Sequence, residues 1–193
     1  MKFNVSILYG SVREGRLGIR AVKLLDNLLK ERGHLTHVLD PEEIELPFLN
    51  KMYKEYERGN APAAMQHIAD ALNDSDGFIM VTGEYNHSIP PALKNMLDHF
   101  QKEYFFKPSA IAAYSAGQYG GMRAAVHLRA ILGELGTPSI STIQGYPKIQ
   151  KIIDQEGKAT EEYYIKSTNK FLDELEWYME AMKVQREKKG TPY

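Results

Sequence analysis

Three clusters of polar and glycine residues in this chain have the composition of ligand-binding loops. The first is Gly10-Ser11-Val12-Arg13-Glu14-Gly15-Arg16-Leu17-Gly18, which places a hydroxyl, two guanidiniums and flexible backbone directly ahead of a helical pattern. Free amides at a helix N-terminus, with arginines close by, favour a dianionic phosphate. Gly10 and Gly15 have the spacing of a P-loop, but Arg16-Leu17 stands where Lys and Ser/Thr belong. Phosphoryl transfer needs that lysine and a magnesium-binding hydroxyl, whereas merely holding a monophosphate needs neither. The competing reading is a tight turn with solvated arginines; the position after a strand favours phosphate. The second cluster, Gly83-Glu84-Tyr85-Asn86-His87-Ser88, crowns the most apolar run of the chain. Its amides, with the positive end of the helix that follows, suit an electron-rich ring edge. Ser88 before Ile89-Pro90-Pro91 reads as a helix N-cap, and Asn86 as a left-handed turn residue. The third, Ala116-Gly117-Gln118-Tyr119-Gly120-Gly121, lets backbone approach a flat ligand closely, with Tyr119 free to stack.

The elements that must position these loops follow from the apolar period. Val5–Tyr9, Leu35–Leu39, Phe78–Thr82, Ala110–Tyr114 and Ile140–Ile143 read as strands. Between them, Leu17 to Leu29, Met65 to Leu72, Leu93 to Phe100 and Met122 to Leu132 repeat at helical spacing. A long terminal helix runs from Glu161 to about Arg186. Strands alternating with helices predict a parallel sheet covered on both faces. We expect a flavodoxin-like three-layer α/β/α fold: a five-stranded parallel sheet of order 2-1-3-4-5. Its ligand crevice lies beyond the carboxyl ends of the strands, between strands one and three, and the three clusters all belong to that crest. The terminal helix has a three-four apolar spacing, at Ile165, Thr168, Leu172, Leu175, Met179 and Met182, which reads as packing on its own sheet rather than as a coiled coil.

Composition narrows the function. The chain has 193 residues, with Lys+Arg 24 against Asp+Glu 25 and a net charge of −1. That balance argues against a basic nucleic-acid binder or a strongly acidic carrier. With no cysteine, disulfides, thiolate metal sites and cysteine nucleophiles are excluded. No signal peptide and no apolar stretch of membrane-spanning length is visible, so a soluble, cytoplasmic protein is the expectation. Residues 1–187 read as one domain, with 188–193 as a frayed tail. His34 and His37 sit three apart on a strand pattern and point to opposite faces, so they share no metal. There is no Gly-x-Ser-x-Gly elbow.

Taken together, the three loops resemble the NADPH-dependent FMN reductase family of flavodoxin-like quinone, azo-dye and chromate reductases. The anchors are Gly10-Ser11-Val12-Arg13-Glu14-Gly15-Arg16, the long and specific Glu84-Tyr85-Asn86-His87-Ser88-Ile89-Pro90-Pro91-Ala92-Leu93-Lys94-Asn95, and Gly120-Gly121-Met122-Arg123-Ala124. The resemblance implies bound FMN, with NADPH or NADH as co-substrate and a small-molecule acceptor. Ser11, Arg13 and the backbone from Arg16 through Leu17 and Gly18 to Ile19 would hold the phosphate. Glu84, Tyr85 and Asn86 would line the ribityl chain and isoalloxazine. His87, in the same loop, reads either as a contact to flavin or substrate or as a plain turn histidine. Gly117, Gln118 and Tyr119 would meet the pyrimidine edge. Many relatives carry Ser near position 16, so Arg16 leaves the third phosphate contact open; Gly83 stands where proline is usual. The resemblance also implies a homodimer or homotetramer, in which Met52, Tyr53 and Tyr56 either cover a neighbouring flavin or pack on their own subunit. The flavin would carry the chemistry. The competing readings are a flavodoxin-type electron carrier and a flavin-binding module without nicotinamide turnover.

Overall fold

The computed structural model describes residues 1–193. Five strands, β1 (Asn4–Tyr9), β2 (Leu35–Leu39), β3 (Gly77–Thr82), β4 (Ser109–Tyr114) and β5 (Ser139–Tyr146), pair in parallel in the order β2-β1-β3-β4-β5. The helices are α1 (Ile19–Glu31), α2 (Ala63–Asp74), α3 (Pro91–Asp98), α4 (Met122–Glu134), the single turn α5 (Ile149–Ile152) and α6 (Glu162–Lys189). This is the flavodoxin-like sheet expected from the alternation of periods.

The strand alternation sorts the core into two layers. Val5, Ile7, Tyr9, Ile79, Val81, Ala110, Ala112 and Tyr114 face α1 and α6 in one cluster of 23 buried residues. Leu8, Phe78, Met80, Ile111 and Ala113 face α2, α3 and α4 in a second cluster of 21. Successive side chains leave opposite faces of a strand, so a central strand buried on both sides must be apolar throughout. β3 and β4 are buried at every residue and apolar except at their ends, where the buried Thr82 and Ser109 hydroxyls bond the Gly83 and Thr137 carbonyls.

Three differences from the sequence reading have local causes. β5 extends to Tyr146 because Gln144, Gly145 and Tyr146 still pair with Ala112, Ala113 and Tyr114. Ser88 does not cap α3: Tyr85 and Ser88 exchange both backbone hydrogen bonds, which aims the Ser88 hydroxyl at His127 Nδ1, 2.8 Å away. Pro90 takes the N-cap position instead. His34 precedes β2 and is buried, accepting the Phe3 amide on Nδ1 and contacting Glu176 through Nε2. As expected, α6 buries Thr168, Leu172, Leu175 and Met179 against the sheet, although Ile165 is exposed. It continues through Lys189, and Tyr193 beyond it rests on Phe105 and Phe106.

Candidate functional site

The Gly10–Gly18, Gly83–Ser88 and Ser115–Gly121 loops leave β1, β3 and β4 at the crest of the sheet. They enclose a cleft of about 370 Å³. Its walls include Ser11, Arg13, Arg16, Leu17, Glu84 and Tyr85 from the expected set, with Tyr114 and Ser115 beneath. A larger open groove of about 610 Å³ lies alongside, between Val12, the Pro41–Phe48 stretch and the start of α3. The smaller cleft is the better candidate because the polar donors of all three loops converge there.

The first loop has the physical form of an anion cradle. The Arg16 amide donates to the Arg13 carbonyl, and those of Arg20 and Ala21 donate back to Leu17 and Gly18, but the amides of Ser11, Val12, Glu14, Gly15, Leu17, Gly18 and Ile19 reach no protein acceptor. α1 begins at Gly18 without a side-chain cap, so its positive end is open to the cleft. Unpaired amides of this number at one helix start suit a phosphate. The hydroxyls of Ser11, Tyr85 and Tyr114 line the same space with long contacts: Ser11 to Tyr85 at 3.4 Å, and Tyr114 to Tyr9 at 3.5 Å.

The two arginines of this loop differ. Arg13 is exposed, its guanidinium 5.9 Å from the Tyr85 ring centroid. Arg16 is drawn in by β2: it pairs with buried Asp40 and with Glu42, bonds the Ser11 carbonyl, and lies over the Tyr9 ring. Burial opposes its charge, but the hydrogen bond and charge of Asp40, with Glu42, outweigh it and hold the guanidinium protonated. Arg16 therefore braces the loop, and its fork is already occupied.

In the second loop Asn86 takes the expected left-handed conformation at φ 50°, and His87 joins it at φ 67°. Both are exposed, as are Gly117, Gln118 and Tyr119 in the third loop; none of them walls the cleft. Glu84 is committed to Arg123, accepting its Nε at 2.7 Å and its backbone amide at 3.2 Å. That bond ties the second loop to the start of α4. The Ser115 hydroxyl shapes the third loop by donating to the Gly117 carbonyl and accepting the Gly120 amide, both at 2.8 Å. Gly121 is obligatory there: its φ is +73°, and a Cβ would lie 2.8 Å from the Tyr114 carbonyl. α5, which the sequence pattern does not reveal, buttresses this loop through Ile149 N–H to Ser115 and Gln150 to Ala116.

Tyr53 and Tyr56 pack on their own subunit. Tyr53 stands 5.8 Å from Phe100 and bonds Gln66, and Tyr56 joins the same core cluster. The residue sequence reasoning missed is Tyr114. A strand-ending tyrosine gives no local signal, because its role depends on glycines far away in the chain.

Fold and cleft thus define a doubly wound α/β protein with an anion cradle at its topological switch point. The sequence pattern of the NADPH-dependent FMN reductases (FMN_red) matches residues 3–147, and the chain belongs to that family. A quinone reductase of Escherichia coli (strain K12) is 30% identical over 135 residues, covering 68% of this chain and 70% of the relative. A 2-hydroxy-1,4-benzoquinone reductase of Burkholderia sp is 27% identical over 183 residues, covering 90% and 94%. Among solved structures, the flavoenzyme NAD(P)H:(acceptor) oxidoreductase FerB of Paracoccus denitrificans superposes with a TM-score of 0.78 at 26% identity, covering 93% of this chain and 98% of FerB. The chain is an oxidoreductase of the NAD(P)H-dependent FMN/quinone reductase type. No helix is long and apolar enough to cross a membrane.

Proposed function

We propose that the crest cleft binds FMN and that the protein uses NAD(P)H to reduce small quinones or similar soluble acceptors. The observation that carries this reading is the cradle of unpaired amides ahead of α1, beside exposed Arg13. The donor set fits the group: amides and a free guanidinium for a phosphate, hydroxyls for a ribityl chain, and glycine-rich backbone for a ring edge. Ser11, Arg13 and the amides of Leu17 to Ile19 hold the phosphate. Tyr85 and the backbone of Glu84 and Asn86 flank the ribityl chain and ring, while Gly117 to Tyr119 stand at the pyrimidine edge with His87 at the rim. When bound, FMN supplies the redox chemistry, accepting hydride from NAD(P)H and returning electrons to an acceptor.

The chain's own task is to bind and to leave one side open. Pairing of Glu84 with Arg123 fixes the distance between the second and third loops. The exposure of Tyr119 and His87 leaves the rim accessible to a nicotinamide and then to an acceptor. A homodimer or homotetramer is part of the proposal. Phe48, 86% exposed, stands in the apolar groove beside the cleft, where a second copy would bury it.

The test is a spectrum and a turnover assay. Purified protein incubated with FMN should retain a yellow chromophore, and should oxidise NADPH rapidly once menadione is added. A colourless protein that gives no calorimetric heat with FMN overturns the reading. Flavin binding without nicotinamide oxidation would instead mark an electron carrier.

A further inference from the structure

Arg16 is unavailable to the phosphate because Asp40 and Glu42 hold it. Another group must complete the inner wall of the cradle, and the structure offers one. We propose that the Tyr114 hydroxyl is a phosphate donor, rising from the end of β4 to close the cradle from below. This rests on the reading of the cleft as an FMN site.

Position is the first argument. A Cβ placed on Gly18 would lie 2.2 Å from Tyr114 Cζ and 2.6 Å from its hydroxyl oxygen, and one on Gly83 would lie 3.2 Å from both atoms. The phenol end of Tyr114 therefore occupies the space between the start of α1 and the second loop, beside amides that have no protein acceptor. Glycine at 18 makes room for the ring itself. At Gly83 the contact is tighter than side chains ordinarily tolerate.

Unmet hydrogen bonding is the second. Tyr114 is 8% exposed and walls the cleft, yet its hydroxyl is only loosely held, by the Tyr9 hydroxyl at 3.5 Å, the outer limit of a hydrogen bond, and by the Ser11 side chain nearby. Buried hydroxyls are ordinarily well partnered, so one left this loose beside a cavity is reserved for an occupant. Burial pushes the Tyr114 phenol above its ordinary pKa, so at neutral pH it is a donor rather than a phenolate. Tyr9, wholly buried behind it, is raised in the same way and keeps its own proton. With the Tyr114 proton turned toward the ligand, the Tyr9 proton can turn toward the Tyr114 oxygen, forming a two-hydroxyl relay. The Arg16 guanidinium, 5.1 Å from the Tyr9 ring centroid, braces that relay from the other side.

The deciding experiment compares FMN with riboflavin, which differs only in lacking the phosphate. Tyr114→Phe keeps the ring that packs against Gly18 and Gly83 and deletes the hydroxyl. Its FMN affinity should fall about tenfold, as for a lost hydrogen bond to a charged group, while riboflavin affinity stays within about twofold. The phosphorus NMR resonance of bound FMN should also shift between wild type and variant. An equal loss for both flavins would make Tyr114 a packing residue and overturn the proposal. So would unchanged or tighter FMN binding, or an unmoved phosphorus resonance. Wild-type protein that binds neither flavin is a separate outcome: it removes the FMN reading itself.

Discussion

At the foot of the sheet, where the strands begin, the charged groups and most hydroxyls are partnered by other parts of the chain. Asp76 accepts the Asn4 amide at 3.1 Å and Lys183 at 3.0 Å, with Arg186 at 3.6 Å. Ser6 and Ser75 share a 2.7 Å hydrogen bond under α2, and Arg32 reaches Asp173, Glu176 and Asn169 of α6. At the crest, seven amides of the first loop and the start of α1 have no protein acceptor, and the Ser11–Tyr85 and Tyr114–Tyr9 hydroxyl contacts are 3.4 and 3.5 Å. Both ends are polar, but the foot pairs its charged groups within the chain, leaving His99 Nε2, Glu103 Oε1 and the Tyr104 hydroxyl as its buried unpartnered atoms, whereas the crest leaves backbone donors open. An end whose donors stay unspent costs stability in the empty protein and makes those donors available to a ligand. Mutations at the two ends should therefore separate stability from binding.

The largest effect is expected from Asp76→Ala. It strands Lys183 and Arg186 at the base of α6 and removes the acceptor for Asn4. Breaking a mostly buried ion pair by deleting one partner costs about 3 kcal/mol. Chemical denaturation should show that loss while FMN affinity changes less than about twofold. Flavin affinity falling in step with stability would mean that the two ends are not separable.

A second test at the foot uses pH. The Lys107 ammonium caps α2 by donating to the Leu72 and Asn73 carbonyls, at 2.6 and 3.0 Å. Burial, aided by nearby Arg186, lowers its pKa to about 8, against the opposing pull of Asp76, Asp74 and Glu103. A lysine with a depressed folded pKa is more protonated when unfolded, so the penalty it imposes is relieved as pH rises from about 8 toward its unfolded value. Wild type should gain about 1–2 kcal/mol relative to Lys107→Met between pH 8 and 9.5. A stability difference that stays flat across that window would show that the ammonium is fully solvated.

At the crest, Arg13→Ala should weaken FMN about tenfold, since a guanidinium–phosphate pair is a charge-assisted bond. Melting should barely change, because Arg13 is exposed and makes no ion pair in the folded chain. Arg16→Ala should behave differently. It frees buried Asp40 and so should lower stability, with its effect on FMN arriving through the loop it braces. If the two substitutions gave the same profile, the distinction drawn between these arginines would fail.

That distinction marks the limit of what could be read from sequence. Strand order, the helices and the three loops were legible because periodicity and glycine placement are local signals; β2 spans Leu35–Leu39, between the Gly33 helix stop and the Asp40-Pro41 break. The fate of individual side chains was not. Arg13 and Arg16 look equivalent in the string, and only the parallel pairing of β1 with β2 brings Asp40 to one of them. Tyr114 is 96 positions from the glycine that admits it. Ser88 carries an N-cap signature that a tight turn at Tyr85 overrides. α5 is too short to show a period, yet it supports the third loop. Misreadings of this kind concentrate where the partner is distant in sequence.

The smallest expected effect is also the most direct probe of the contrast between the two ends. A phosphate held by exposed Arg13 and a helix N-terminus is open to counterions, and the screening length falls from about 30 Å at 0.01 M salt to about 3 Å at 1 M. FMN affinity should therefore drop about threefold between low and high salt. The contacts at the foot are short, and Asp76 is buried, so they should be screened much less, leaving the melting temperature nearly constant. Riboflavin supplies the internal control, because without a phosphate its affinity should ignore ionic strength. An FMN binding constant equally indifferent to salt would mean that the amide cradle ahead of α1 does not hold the charge.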